Sequence, residues 1–218
     1  MKRALRIAFI GLDALMIAFV LIAATTDLFT VNLALWNTGL RKFRYFTVDS
    51  NVLAALTLLA ALPFKYRRLV TDKPLPHFCS VLSLVGVTAS SVTFMTVLLF
   101  LGPRLGYANM FLGGNLLLHL VCPVCMAVSF IFDCGSGKKL KFRYTPLSLL
   151  PTVIYAVLYL IMVIAVGADN GGWEDFYGFN AGGMWYISGV LMFAGTYAIG
   201  VILWAAHKIS EKRENESY

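Results

Sequence analysis

Six stretches of this chain are each long and apolar enough to cross a bilayer, and they constrain its fold more than any other feature. They lie at about 7–27, 45–64, 79–101, 112–132, 148–167 and 183–206, and a spanning helix needs about 20 predominantly apolar residues. Hydrophobic residues make up 59% of the 218 and charged residues 13%, against roughly 45–50% and 25% in an average soluble chain. A water-soluble domain of this length has nowhere to bury that excess. These features predict an all-α, polytopic integral membrane protein with a single six-helix transmembrane domain over 1–218. They exclude an ordinary soluble enzyme, a disordered tail and a disulfide-built secreted domain. The first stretch follows Met1-Lys2-Arg3 and has small residues, Ala23-Ala24-Thr25, near its end, as a signal peptide would. Its length and Asp13 argue for a retained helix instead.

The basic residues set an orientation. Lys2, Arg3 and Arg6 lie at the N-terminus, Lys65, Arg67, Arg68 and Lys73 in the second connection, Lys138, Lys139, Lys141 and Arg143 in the fourth, and Lys208, Lys212 and Arg213 at the C-terminus. These are fourteen of the 18; Arg41, Lys42, Arg44 and Arg104 fall on the other side. The positive-inside rule then places both termini in the cytoplasm, and the acidic stretch Asp169–Asp175 falls outside. The net charge of +7 is thereby an orientation device. No basic, aromatic-interleaved soluble module is present to bind nucleic acid.

The cysteines fit this topology. Cys79 and Cys134 fall at cytoplasmic helix ends, where thiols stay reduced. Cys122 and Cys125 form Cys-Pro-Val-Cys inside the fourth span. With His119 they carry the spacing of a redox or metal motif. Residues three apart on a helix walk around its surface, and cysteine also serves as small apolar filler. The filler reading implies no metal, no cofactor and no disulfide. Residues 28–44 mix aromatic, aliphatic and basic side chains, which suits a segment lying in the interface plane. Trp173, Phe176, Tyr177 and Trp185 form an aromatic group near one membrane boundary, as a belt at headgroup level or as ligand contacts.

Ionisable side chains within a bilayer are costly, so each is a functional candidate. Asp13, His119 and Asp49 qualify. His119 is about 10 Å into the fourth span at 1.5 Å per residue, with Asn115 on its face one turn earlier. Pro123, four residues on, offers no N–H to the His119 carbonyl and clashes with it, so a kink is expected there. A hydrogen-bonded packing histidine remains the alternative. Thr47, Asp49, Ser50 and Asn51 open the second span, where all four are good capping residues. Thr47 and Asn51 share a helical face, and the depths of Thr47 and His119 agree to within about 5 Å, roughly one turn. A threonine hydroxyl and an imidazole at one level form a candidate nucleophile and general base. Asn51 and Asn115 are candidate oxyanion donors, and Asp49 a candidate group to orient the imidazole. Ser90, Ser91, Thr93 and Thr96, with Gly86 before them, read as close-packing positions of the third span. Tyr155 and Tyr159 share a face of the fifth, where they pack or line a pocket.

Three segments together resemble a known family. Arg44-Tyr45-Phe46-Thr47-Val48-Asp49-Ser50-Asn51, then Leu118-His119-Leu120-Val121-Cys122-Pro123, then Trp173 with Tyr177-Gly178-Phe179 are similar to the androgen-induced-gene/FAR-17a superfamily. Its bacterial members are small six-pass membrane proteins, and its characterised animal members are threonine hydrolases of fatty acid esters of hydroxy fatty acids. The resemblance implies Thr47 as nucleophile, His119 as general base and acid, and a bacterial-type cell (inner) membrane. Partners would be the lipid bilayer and a lipid-like ester, with Trp173, Tyr177, Tyr155 and Tyr159 as candidate cavity lining. The animal proteins carry an aspartate near the Asn51 position, and their histidine–proline separation differs by one residue. The competing expectation is a small-molecule transporter or a ligand-binding membrane module without hydrolytic activity.

Overall fold

An apolar stretch without water must satisfy its own backbone N–H and C=O groups, and a helix does so within one segment. A computed structural model describes residues 3–25, 39–133 and 139–216. These residues are all-helical, without strands. The six principal helices are α1 (Arg3–Thr25), α2 (Phe46–Thr71), α3 (His77–Leu105), α4 (Gly114–Asp133), α5 (Phe142–Val166) and α6 (Trp185–Glu216). Each is long and apolar enough to cross a membrane. Their alternating course brings both chain ends to one end of the bundle, here called proximal. Most of the stretch 28–44 lies outside the described residues, as does Cys134; Gly39–Arg44 forms a 3-10 turn leading into α2.

The boundaries differ from the apolar stretches where polar residues find partners. α2 was expected to stop at 64, yet it continues through Lys65, Arg67 and Arg68 to Thr71, closing on Asp72 in a left-handed conformation (φ 54°). Lys65 is therefore no loop residue. Its Nζ lies 2.5 Å from Asp13 Oδ2 on α1 and 3.1 Å from Asp133 Oδ2 on α4. Ser129 donates to Asp13 Oδ1 at 2.6 Å, and Arg68 is 3.6 Å from Asp133 Oδ1. Asp13 thus sits in a buried charge cluster joining three helices. α5 begins at Phe142, earlier than 148, through a 3-10 stretch containing Pro146. α6 extends past 206 to Glu216.

Three helices carry a wider π turn: Val97–Leu101 in α3, Leu117–Val121 in α4 and Ile161–Val166 in α5. In α4 the turn is centred on His119, four residues before Pro123. The kink expected there takes the form of a locally widened helix, which relieves the clash of the proline ring with the carbonyl. α3 lies centrally, against α2, α4 and α6. It meets α2 at Gly86, where a Cβ would collide with the Thr57 hydroxyl and the Ala54 backbone. The main core combines Met16, Val20, Ala54, Leu84, Cys122 and Phe130. α5 and α6 are the least buried helices. They pack most fully where α6 meets the first turns of α5, and their contact thins toward the distal end.

Candidate functional site

The distal divergence of α5 and α6 leaves a cleft. Its walls come from Phe46 and Thr47 on α2, Thr93, Thr96 and Val97 on α3, Thr152, Tyr155 and Tyr159 on α5, Trp185, Ser188 and Met192 on α6, and Tyr177 of the α5–α6 connection. The cleft contains about 680 Å³ of atom-free space, part of it open to the surroundings. Its surface is apolar apart from hydroxyl groups, and among the described residues no charged side chain lines it.

The α5–α6 connection is folded over the distal end of this cleft by specific bonds. Asp175 accepts from the Tyr159 hydroxyl at 2.7 Å and from the backbone N–H groups of Phe179 and Asn180, both at 2.9 Å. The Tyr177 N–H donates to Tyr159 Oη at 3.1 Å, and its carbonyl accepts from Arg104 at 3.2 Å. Gly178, at φ 69°, makes room for that guanidinium, which a Cβ would strike at 2.7 Å. The Tyr177 hydroxyl accepts the first N–H of α2, from Phe46, at 3.0 Å, supplying a cap that no side chain of α2 provides. Thr47 and Tyr155 line the cleft beside it. Burial pushes the Tyr177 phenol up to about 12, so it stays protonated at neutral pH.

The sequence candidates distribute unevenly around this cleft. Thr47, Tyr155, Tyr159 and Tyr177 line it. Trp173 packs behind, with ring centroids 6.5 Å from Tyr155 and 6.2 Å from Tyr159. This aromatic group faces inward onto its own loop, whereas Trp185 is 44% exposed. His119 is buried on α4 and does not border the cleft. Its Nδ1 is 2.7 Å from the Met110 carbonyl oxygen. A carbonyl only accepts, so in the neutral ring Nδ1 carries the proton and Nε2 keeps the basic lone pair. Among the described residues no hydrogen bond joins Thr47 to His119. Their turns are nevertheless tied together: Asn51 donates to the carbonyls of Thr47 (2.7 Å) and Leu118 (3.0 Å).

Both amide hydrogens of Asn51 are thereby engaged, and its oxygen accepts from Ser90 at 3.0 Å. It is a strut between α2, α3 and α4 more than a free oxyanion donor. Asn115 is buried with its side-chain oxygen unpartnered, apart from the cleft. Asp49 lines a shallow groove between α2 and α5, and Met110 supplies the partner for His119 Nδ1 that Asp49 was expected to provide. Cys122 and Cys125 are free thiols, the former within the main core. The sequence reading passed over the Asp175 clamp and the lining roles of Thr93, Thr96, Thr152 and Ser188. Threonine at a helix contact reads equally as glue, and Ser50 and Thr93 are indeed bonded across α2 and α3 at 2.7 Å. Comparison with family models, curated proteins and solved structures returns no match.

Proposed function

We propose that this chain is a six-pass integral membrane protein, with both termini cytoplasmic, that hydrolyses lipid-like carboxylic esters. The supporting observation is the position of Thr47: its hydroxyl borders an apolar cleft that opens between the two least buried helices. An acyl chain diffusing in the bilayer would enter there and bring its ester to the distal level, near a headgroup region. Thr47 is the nucleophile and His119, through Nε2, the base. The π turn around His119 adds weight, because such turns recur at functional sites. Catalytic hydrogen bonds often close only once substrate is bound, so Thr47 and His119 are brought together in the substrate complex. No cofactor enters this chemistry, and a bacterial-type inner membrane suits the resemblance of the sequence.

The test uses purified full-length protein in lipid nanodiscs, with 4-nitrophenyl octanoate and a branched fatty ester as substrates. Thr47→Ala and His119→Ala are each expected to abolish turnover while the protein remains folded. Full turnover in either variant sinks the dyad. A second reading, an acyl-chain binding module or carrier without hydrolysis, is favoured by the position of His119 outside the cleft that Thr47 lines. Saturable uptake or binding of a fatty ester without cleavage would select it.

A further inference from the structure

The distal loop contributes one group to the cleft whose geometry exceeds packing. We infer that Tyr177 is the oxyanion donor of this site, its phenolic O–H bonding to the ester oxygen that becomes negative when Thr47 attacks. The inference rests on the hydrolytic reading above and adds a catalytic residue to it.

The argument starts from how the phenol is held. Its backbone is fixed by Tyr159 and Arg104 at 3.1 and 3.2 Å, and the loop is clamped one turn away by Asp175. Its oxygen receives the Phe46 N–H at 3.0 Å, so its own hydrogen must point to a different acceptor. Two hydroxyl-bearing residues line the cleft with it: Thr47, next in the chain to Phe46, and Tyr155, whose ring centroid is 6.4 Å from that of Tyr177. Tyr155 uses its hydrogen on the Arg44 carbonyl at 2.6 Å. That leaves Tyr177 as the phenol whose hydrogen is available beside the nucleophile. The Phe46 N–H, at the positive end of α2, polarises the phenol and raises its strength as a donor. A donor fixed before reaction, in an apolar cleft whose described lining carries no charged side chain, is the arrangement that stabilises developing negative charge most effectively. Asn51, a candidate carboxamide donor, has both its hydrogens committed.

The step balances as follows. Thr47 Oγ1 bonds to the ester carbonyl carbon while its proton passes to His119 Nε2. The carbonyl π pair moves onto oxygen, and that oxyanion accepts the Tyr177 hydrogen bond. Collapse re-forms the carbonyl and breaks the bond to the alcohol oxygen, which takes the proton from the imidazolium. Water then releases the acid from Thr47 by the same route.

The test compares wild type, Thr47→Ala, Tyr177→Phe and Tyr66→Phe in nanodiscs with 4-nitrophenyl octanoate. Tyr177→Phe is expected to lower kcat about 10²–10³-fold, the range for removing one oxyanion donor, with KM changed less than about threefold. Tyr66→Phe, at an exposed position of α2 away from the cleft, is expected to retain kcat. In a second measurement Tyr177 is replaced by 3,5-difluorotyrosine, which keeps the ring and acidifies the phenol. The alkaline limb of kcat should then move to lower pH, a shift that a purely structural tyrosine would not cause. Near wild-type kcat in Tyr177→Phe, or an unmoved alkaline limb, overturns the assignment while an inactive Thr47→Ala leaves the hydrolase reading intact. Equal rates in wild type and Thr47→Ala overturn that reading and the inference with it.

Discussion

Replacing Lys65 by methionine removes the cation at the centre of the proximal charge cluster while keeping most of its volume. The ammonium lies 2.5 Å from Asp13 and 3.1 Å from Asp133, and the Lys65 and Asp13 side chains are 2% and 1% exposed. At an effective dielectric of about 20 those attractions are worth about 7 and about 5 kcal/mol. The desolvation of each ion, several kcal/mol, offsets most of that, so the intact cluster adds little net stability. The variant has no such cancellation. Asp13 keeps only the Ser129 hydroxyl, Asp133 keeps Arg68 at 3.6 Å, and the two carboxylates repel one another. Removing one partner of a buried pair costs about 3–5 kcal/mol. Lys65→Met/Asp13→Asn restores the balance, since Asp133 and Arg68 remain as a pair, and should recover at least 1 kcal/mol of the loss by the coupling expected of contacting residues. Reversible unfolding in mixed dodecylmaltoside–SDS micelles, followed by tryptophan fluorescence, measures both. A single variant within about 1 kcal/mol of wild type, or a double variant no more stable than the single, refutes the reasoning.

Asn51→Leu strands the Leu118 carbonyl and the Ser90 hydroxyl, whereas the Thr47 carbonyl keeps the Ser50 hydroxyl at 3.3 Å. At about 1–3 kcal/mol for a buried group left unsatisfied, a loss of at least 2 kcal/mol is expected in the same unfolding assay. Gly86→Ala forces α3 away from the Thr57 hydroxyl and Ala54 backbone and should cost about 1–3 kcal/mol. Gly11→Ala, where the new methyl meets open space, serves as the control and should not destabilise. The Tyr177 phenol, raised from 10.0 to about 12, favours the neutral form in the folded state. Its contribution is fully present below pH 10 and is lost as pH rises toward about 12; Tyr177→Phe should flatten that part of the stability profile recorded by thermal melts across alkaline pH.

The six helices were legible because lipid-length apolar runs have few alternative folds, and the widened turn at His119 followed from Pro123 standing four residues later. The C-terminal end of α2 was not legible. Lys65, Arg67 and Arg68 look like a loop until Asp13 and Asp133, 52 residues before Lys65 and 68 after it, are seen to meet Lys65. The cleft was equally hidden, since Thr47, Thr93, Thr152 and Ser188 come from four helices and each alone reads as a helix contact. Asp175 had no local signal at all: its partners are the Tyr159 hydroxyl and two backbone N–H groups of its own loop.

The rule that a charge inside the membrane marks function points first to Asp13, and the fold redirects it. In the proximal half Asp13, Lys65, Asp133 and Arg68 neutralise one another. Burial leaves such a cluster little capacity to bind anything else, and its work is to hold α1, α2 and α4 in register. The polar groups that line the distal cleft are hydroxyls, which cost far less to bring into an apolar environment. They can therefore border a cleft without a permanent partner of opposite charge. The costliest residues of the sequence thus fix the register of the bundle, and the cheaper ones, Thr47 and Tyr177 foremost, line its cleft.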